Sequence, residues 1–125
     1  MKTKILFITS LLLIVGCSKE PINFETTLIE KEGVYYTKDT NQPYSGPVFS
    51  IYDINQKKEE GSLKEGKRDG LFTGWYQNGQ KKFEETWKNG KKYGESFEYY
   101  QNGEVLVYND GVLIWNVFNQ NPKKE

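Results

Sequence analysis

The chain has 125 residues, with seventeen basic and seventeen acidic side chains, so no whole-chain field steers it toward nucleic acid or an anionic surface. It has no histidine, which removes the commonest general base and metal ligand, and a single cysteine, which leaves no internal disulfide. Aromatic residues make up 15% and must supply most of the buried apolar area, because Leu, Ile and Val are sparse after Val15.

Residues 1–16 read as a helical signal peptide. Lys2 and Lys4 form a short basic start, and Ile5 to Val15 is an apolar run broken only by Thr9 and Ser10. Such a run spans roughly 16 Å of helix, about half of a ~30 Å bilayer core, which suits a secretory segment rather than a membrane span. It ends in Leu13-Ile14-Val15-Gly16-Cys17, which resembles the lipobox of bacterial lipoproteins. That resemblance implies cleavage before Cys17, acyl chains such as palmitate on Cys17, and a folded part outside the cytoplasm. The acyl chains would hold the protein to a membrane of the cell envelope, at ~0.8 kcal/mol per buried CH₂.

Residues 17–32 carry the lipidated Cys17 and then a polar, weakly patterned stretch that reads as a flexible tether. Val34 to Thr37 has strand propensity, and Lys38 to Ser45 is rich in turn formers. The β domain is expected over 33–118, with a disordered tail over 119–125.

From Gly46 to Gly94 the chain is written twice at a spacing of 24: Tyr52 falls on Tyr76, Gln56-Lys57-Lys58 on Gln80-Lys81-Lys82, and Gly66-Lys67 on Gly90-Lys91. A third copy, starting near Glu95 and containing Tyr100-Gln101-Asn102-Gly103, is about three residues shorter between its turns. A fixed period of this size indicates stacked supersecondary units. Asn78-Gly79, Asn89-Gly90, Asn102-Gly103 and Asp110-Gly111 are each expected to form a type I′ hairpin turn, with a looser turn at Ile54-Asn55. The expected fold is all-β: an antiparallel β-hairpin meander of about eight strands in one sheet, with no helix after the signal.

With Asn78-Gly79 as a two-residue loop, Tyr76 faces Lys81, Trp75 faces Lys82, Gly74 faces Phe83 and Phe72 faces Glu85. Phe72, Gly74, Tyr76, Phe83 and Trp87 then share a buried face, joined by Val48, Tyr52 and Leu63 from the first copy and Tyr100, Val105 and Val107 from the third. Thr73, Trp75, Lys82, Glu84 and Thr86 take the other. Gly46, Gly70 and Gly94 are expected at positive φ or tight packing where units meet.

The pattern from Gly70, with Trp75-Tyr76, Asn78-Gly79-Gln80, Lys82, Glu84, Trp87-Lys88-Asn89-Gly90-Lys91 and a closing Gly94, resembles the bacterial MORN-repeat variant family. The resemblance covers most of the chain after Gly33. It implies a single-sheet array of β-hairpins used for protein contact, dimerisation or lipid association, and some members are antitoxin or immunity components.

Glu59-Glu60 and Glu84-Glu85 are not acid/base pairs, since neighbours on a strand point to opposite faces. No catalytic residue, cofactor or metal is expected. The expected role is that of a non-catalytic structural or protein-binding lipoprotein; the alternatives are an antitoxin that occludes a toxin and a module that associates with membrane lipid. Trp75 and Tyr99, 24 apart, are the candidate contact aromatics, with Lys82 and Lys58 as candidate contact cations from the recurring basic pairs.

Overall fold

The computed structural model describes residues 18–117. The signal peptide expected over 1–16, the lipidation site Cys17 and the tail expected over 119–125 lie outside the described residues. The described chain forms β1 (Ile22–Asn23), α1 (Phe24–Thr27), β2 (Leu28–Lys31), β3 (Val34–Thr37), β4 (Gly46–Asp53), β5 (Gln56–Lys64), β6 (Lys67–Arg68), β7 (Gly70–Trp75), β8 (Lys81–Lys88), β9 (Lys91–Tyr99), β10 (Val105–Asn109) and β11 (Val112–Val117). One sheet runs β1-β4-β5-β7-β8-β9-β10-β11, with β6 paired to β5, and β2–β3 is a separate hairpin. The long strands follow one another antiparallel, as the spaced hairpin signals require; β1 alone pairs parallel, through Ile22 and Val48.

The flexible tether expected over 17–32 is replaced by ordered structure over 22–31. Asn23 caps the one-turn helix α1, its Oδ1 accepting from Glu25 N at 3.1 Å and Thr26 N at 3.4 Å. Phe24 and Leu28 are buried, and the Phe24 ring meets Tyr35 edge-on at 5.6 Å. Two apolar anchors in a polar stretch are enough because β4, β5 and β7 present a matching apolar face. The helix also corrects the expectation that none follows the signal.

Phe24, Leu28, Val48, Leu63 and Phe72 form the core, with Ile22, Tyr35, Tyr44, Phe83 and Trp87 packed around it. We term this the inner face of the sheet. Phe72 lies over Gly61, where a Cβ would come within 2.6 Å of its ring, and Phe83 lies over Gly74 in the same way. Full burial of a Phe contributes roughly 1.5–3 kcal/mol; Phe72 is buried to that extent, while Phe83 is only partly buried. Trp87 is on the expected face but only half-buried; its Nε1 donates to Glu85 Oε2 at 3.1 Å, and Arg68 and Lys92 approach its ring at 5.3 and 5.8 Å.

The turns fall into two kinds. Asn89-Gly90 and Asp110-Gly111 have positive φ at both positions, as expected for type I′, and Glu32-Gly33 and Glu65-Gly66 do the same. At Asn78-Gly79 and Asn102-Gly103 only the glycine has positive φ. Gly79 N donates to Tyr76 O at 2.9 Å and Tyr76 N to Gln80 O at 2.8 Å, with the same bonds at Tyr100, Gly103 and Glu104. These are three-residue loops ending in a glycine bulge, a correction to the two-residue expectation. Gly46, Gly70 and Gly94 sit at φ of +149°, +90° and +68°, as expected where units meet.

Hydrogen bonds recur with the period. Gly66 N donates to Tyr44 O at 2.8 Å and Gly90 N to Arg68 O at 2.9 Å; Tyr52 Oη donates to Trp75 O at 2.9 Å and Tyr76 Oη to Tyr99 O at 2.8 Å. Each unit is therefore bonded to the next at equivalent places. The third departs: Asp110 N donates to Gly94 O at 2.9 Å, and Gly94 N to Asp110 Oδ1 at 2.6 Å.

Candidate interaction face

The opposite, outer face is reached by alternation from the core. Phe49 pairs with Glu60, Glu60 with Thr73, Thr73 with Glu84, Glu84 with Phe97, Phe97 with Val107, and Val107 with Trp115. This is one unbroken row across seven strands, and side chains opposite one another in such rows interact directly. A second row beside it contains Ile51 opposite Lys57, Trp75 opposite Lys81, and Tyr99 opposite Val105. Phe97 and Tyr99 stack at 6.3 Å with their planes 22° apart.

Charge is interleaved with the aromatics at the same period. Lys57 pairs with Glu60 and Lys81 with Glu84, one repeat apart, and Lys57 Nζ lies 5.7 Å from the centre of the Trp75 ring. The bond to Glu84 raises the Lys81 pKa; burial, then the Glu84 charge, raises that of Tyr99. The pairs are solvated and add little to stability; they place charge between the aromatics.

The four expected contact residues divide between the faces. Trp75 and Tyr99 share the outer face, as expected from their spacing of 24. Lys58 and Lys82 stand on the inner face. Lys58 Nζ is 2.8 Å from Glu25 Oε1 and 6.0 Å from the Tyr52 ring, and the bond to Glu25 raises its pKa; Lys82 Nζ is 5.6 Å from the Tyr76 ring. The reason is a register shift: Gly74 pairs with Phe83 but Trp75 with Lys81, so Lys82 is the extra residue of a bulge, and Lys58 is its equivalent between Ser50–Glu59 and Ile51–Lys57. The pairing of Trp75 with Lys82 and the outward placement of Lys82 are thereby corrected.

The third unit lacks that bulge. Glu98 pairs with Leu106 and Phe97 with Val107 without a shift. Val107, expected on the buried face, therefore lies on the outer one, whereas its bulged equivalent Phe83 lies inside. Val105, also expected to be buried, is outer like its equivalent Lys81, because the preceding loop has three residues instead of two. Sequence reasoning missed Phe49, Phe97 and Trp115 as members of the outer row. Phe49 and Phe97 stand one period either side of Thr73, which was already assigned there.

On the first unit the outer face dips into an open groove of about 770 Å³, lined by Pro21, Pro47, Phe49, Ile51, Ile54 and Leu71 among others. Ile54, at the tip of the β4–β5 hairpin, is 90% exposed, and Leu71 is 58% exposed. At the far side of the sheet Trp115 is 65% exposed. Among the described residues no group of three or more His, Cys, Asp or Glu is placed to hold a metal ion, and no helix is long and apolar enough to cross a membrane. The arrangement presents aromatic surface with interleaved charge at a regular spacing. No family model, curated protein or solved structure matches the chain.

Proposed function

We propose that this chain is a lipid-anchored, non-catalytic binding protein of the cell envelope, built from MORN-type hairpin units, which takes a protein partner on its outer face. The observation that carries the reading is the pair of rows in which aromatic and aliphatic residues alternate with charged ones, held in register across the sheet. Trp75, Phe97, Tyr99, Val107 and Trp115 supply the partner-facing surface from the second and third units. Aromatic anchors amid polar groups are the composition that protein interfaces favour. The hydrogen bonds repeated at the period hold Trp75 and Tyr99 at equivalent places and support the MORN-type reading. Anchoring rests on the Cys17 lipobox, and antitoxin action and lipid association are the other roles that the family resemblance implies.

The test is photocrosslinking in intact cells, with the crosslinking residue placed at Tyr99 or Trp115 on the outer face and at Lys82 on the inner face as control. A discrete adduct from the outer positions, absent from the inner one, is expected. Adducts from Lys82 alone, or from no position, would overturn the assignment. The identity of the captured partner separates a toxin from a structural protein of the envelope.

A further inference from the structure

We propose that the outer face of the first unit lies on the bilayer, so that the anchored domain sits flush with the membrane instead of hanging from a leash. This rests on the reading of Cys17 as the lipidated residue. The first observation is the position of Lys19, whose Nζ donates to Ser45 O at 2.8 Å and lies 5.5 Å from the centre of the Tyr44 ring. That contact is made by the tip of the lysine side chain; the firmer tie to the outer face is Pro21, four residues after Cys17, which lines the groove there. Four residues reach at most ~14 Å, so the lipidated residue has only a short span of chain to that face.

The second observation is what stands at that edge. Pro21 lines the outer groove with Pro47, Phe49, Ile51, Ile54 and Leu71. Ile54 and Leu71 are each more than half exposed. On a free domain they would be two scattered hydrophobic residues of no consequence. Beside an anchor they are held at high effective concentration next to a hydrocarbon phase, and even a weak partition is then realised.

The occupant is the lipid of the bilayer that carries the anchor. Lys57 is paired with Glu60, and Asp53 flanks Ile54, so the rim has no surplus of positive charge to attract anionic headgroups. The contact is therefore apolar and insensitive to headgroup charge. Successive strands rotate by about 20–25°, so the second and third units turn away from this footing and keep Tyr99 and Trp115 free for a partner.

The test uses the full acylated protein reconstituted in phosphatidylcholine vesicles, where Cys17 is blocked as a thioether. Leu71→Cys, Ile54→Cys and, as control, Lys82→Cys each supply one thiol for an environment-sensitive fluorophore. The proposal predicts blue-shifted emission at 71 and 54, quenched by nitroxide on the lipid chains and shielded from aqueous iodide, with the reverse at 82. Adding anionic lipid should leave these shifts unchanged. Iodide quenching at 71 or 54 equal to that at 82 overturns the proposal. The mass of the N-terminal peptide is read first: an unacylated Cys17 rejects the anchor and this footing together, whereas an acylated chain with water-exposed probes rejects the footing alone.

Discussion

Strands β4, β5 and β7 and strands β9, β10 and β11 belong to one sheet, yet they live in different surroundings. Over the first group lie α1 and the β2–β3 hairpin, and the buried apolar residues Phe24, Leu28, Val48, Leu63 and Phe72 all belong to this half. In the second group the buried side chain is Ser96, with no hydrogen-bond partner for its Oγ among the described residues, while Val112, Leu113, Ile114 and Trp115 are each more than half exposed. The repeat is common to both halves; the covering layer is not. Residues 22–37, which have no counterpart at the 24-residue period, turn one end of a plain sheet into a two-layer core. Repetition sets the register, and a non-repeated segment decides where stability resides.

The largest expected effect attacks that difference directly. Phe72 is 1% exposed, and Phe72→Ala should cost about 3–5 kcal/mol in urea unfolding. Phe97→Ala, one sheet-row member on the uncovered face, should cost well under half as much. Equal losses would mean that the two halves are equally packed. Next comes Gly74→Ala, where the new methyl would run into the Phe83 ring; a loss of about 1–3 kcal/mol is expected, and relief by Phe83→Leu in the double variant would identify the clash as its cause.

Asn23→Ala removes the cap of α1 and should cost about 1 kcal/mol, with no effect on the spectroscopic signature of the third unit. A loss of the whole fold would make the covering layer a precondition of the sheet rather than an addition to it. Alkaline pH probes both halves at once. Burial raises the Tyr44 pKa above its ordinary 10.0 in the covered half and likewise the Tyr108 pKa in the open half, and the bond to Glu25 raises the Lys58 pKa above 10.5. The folded chain thus keeps protons that the unfolded chain releases first. Stability is fully present below about pH 10 and falls as pH rises beyond it, because the folded state then binds more protons than the unfolded one. A midpoint that is flat or rising between pH 10 and 11 would contradict these assignments. The smallest effect belongs to the inward serines. Ser50 is fully buried and its Oγ, like that of Ser96, has no partner among the described residues, so Ser50→Ala and Ser96→Ala should each stay within about 0.5 kcal/mol of the parent or be slightly stabilising.

Much of the architecture was legible. The 24-residue copy announced the meander, Asn89-Gly90 and Asp110-Gly111 announced their turns, and the alternation of Phe72, Gly74 and Phe83 announced the inner face. Gly74 opposite Phe83 and Phe72 opposite Glu85 stand as the spacing required. The bulges at Lys58 and Lys82 were not legible, because each is offset before the strand goes on: Ser50 still faces Glu59 and Gly74 still faces Phe83, and only the residues beside the turn change place. Two turns were missed because Glu32 and Glu65 are not residues that tolerate positive φ well. Glu65-Gly66 could still have been found, since it falls one period before Asn89-Gly90. At Gly66 the fit is tight: a Cβ would meet Val34 Cγ1 at 2.5 Å and Tyr35 O at 2.7 Å. The folded nature of residues 22–31 was hidden because Phe24 and Leu28 acquire meaning only against Val48, Leu63 and Phe72, residues that are distant in the chain. On the outer face, the places of Trp75 and Tyr99 were recoverable from period and alternation alone, whereas the placing of Lys58 and Lys82 required the register.

Native-state hydrogen exchange resolved by strand is the most direct test of the division between a covered, stable half and an open half. The amides that pair β4 with β5 and β7 with β8 should exchange only through global unfolding. Those that pair β10 with β11 should exchange through a smaller, separate opening at lower free energy. A single uniform protection across all of these strands would contradict the account.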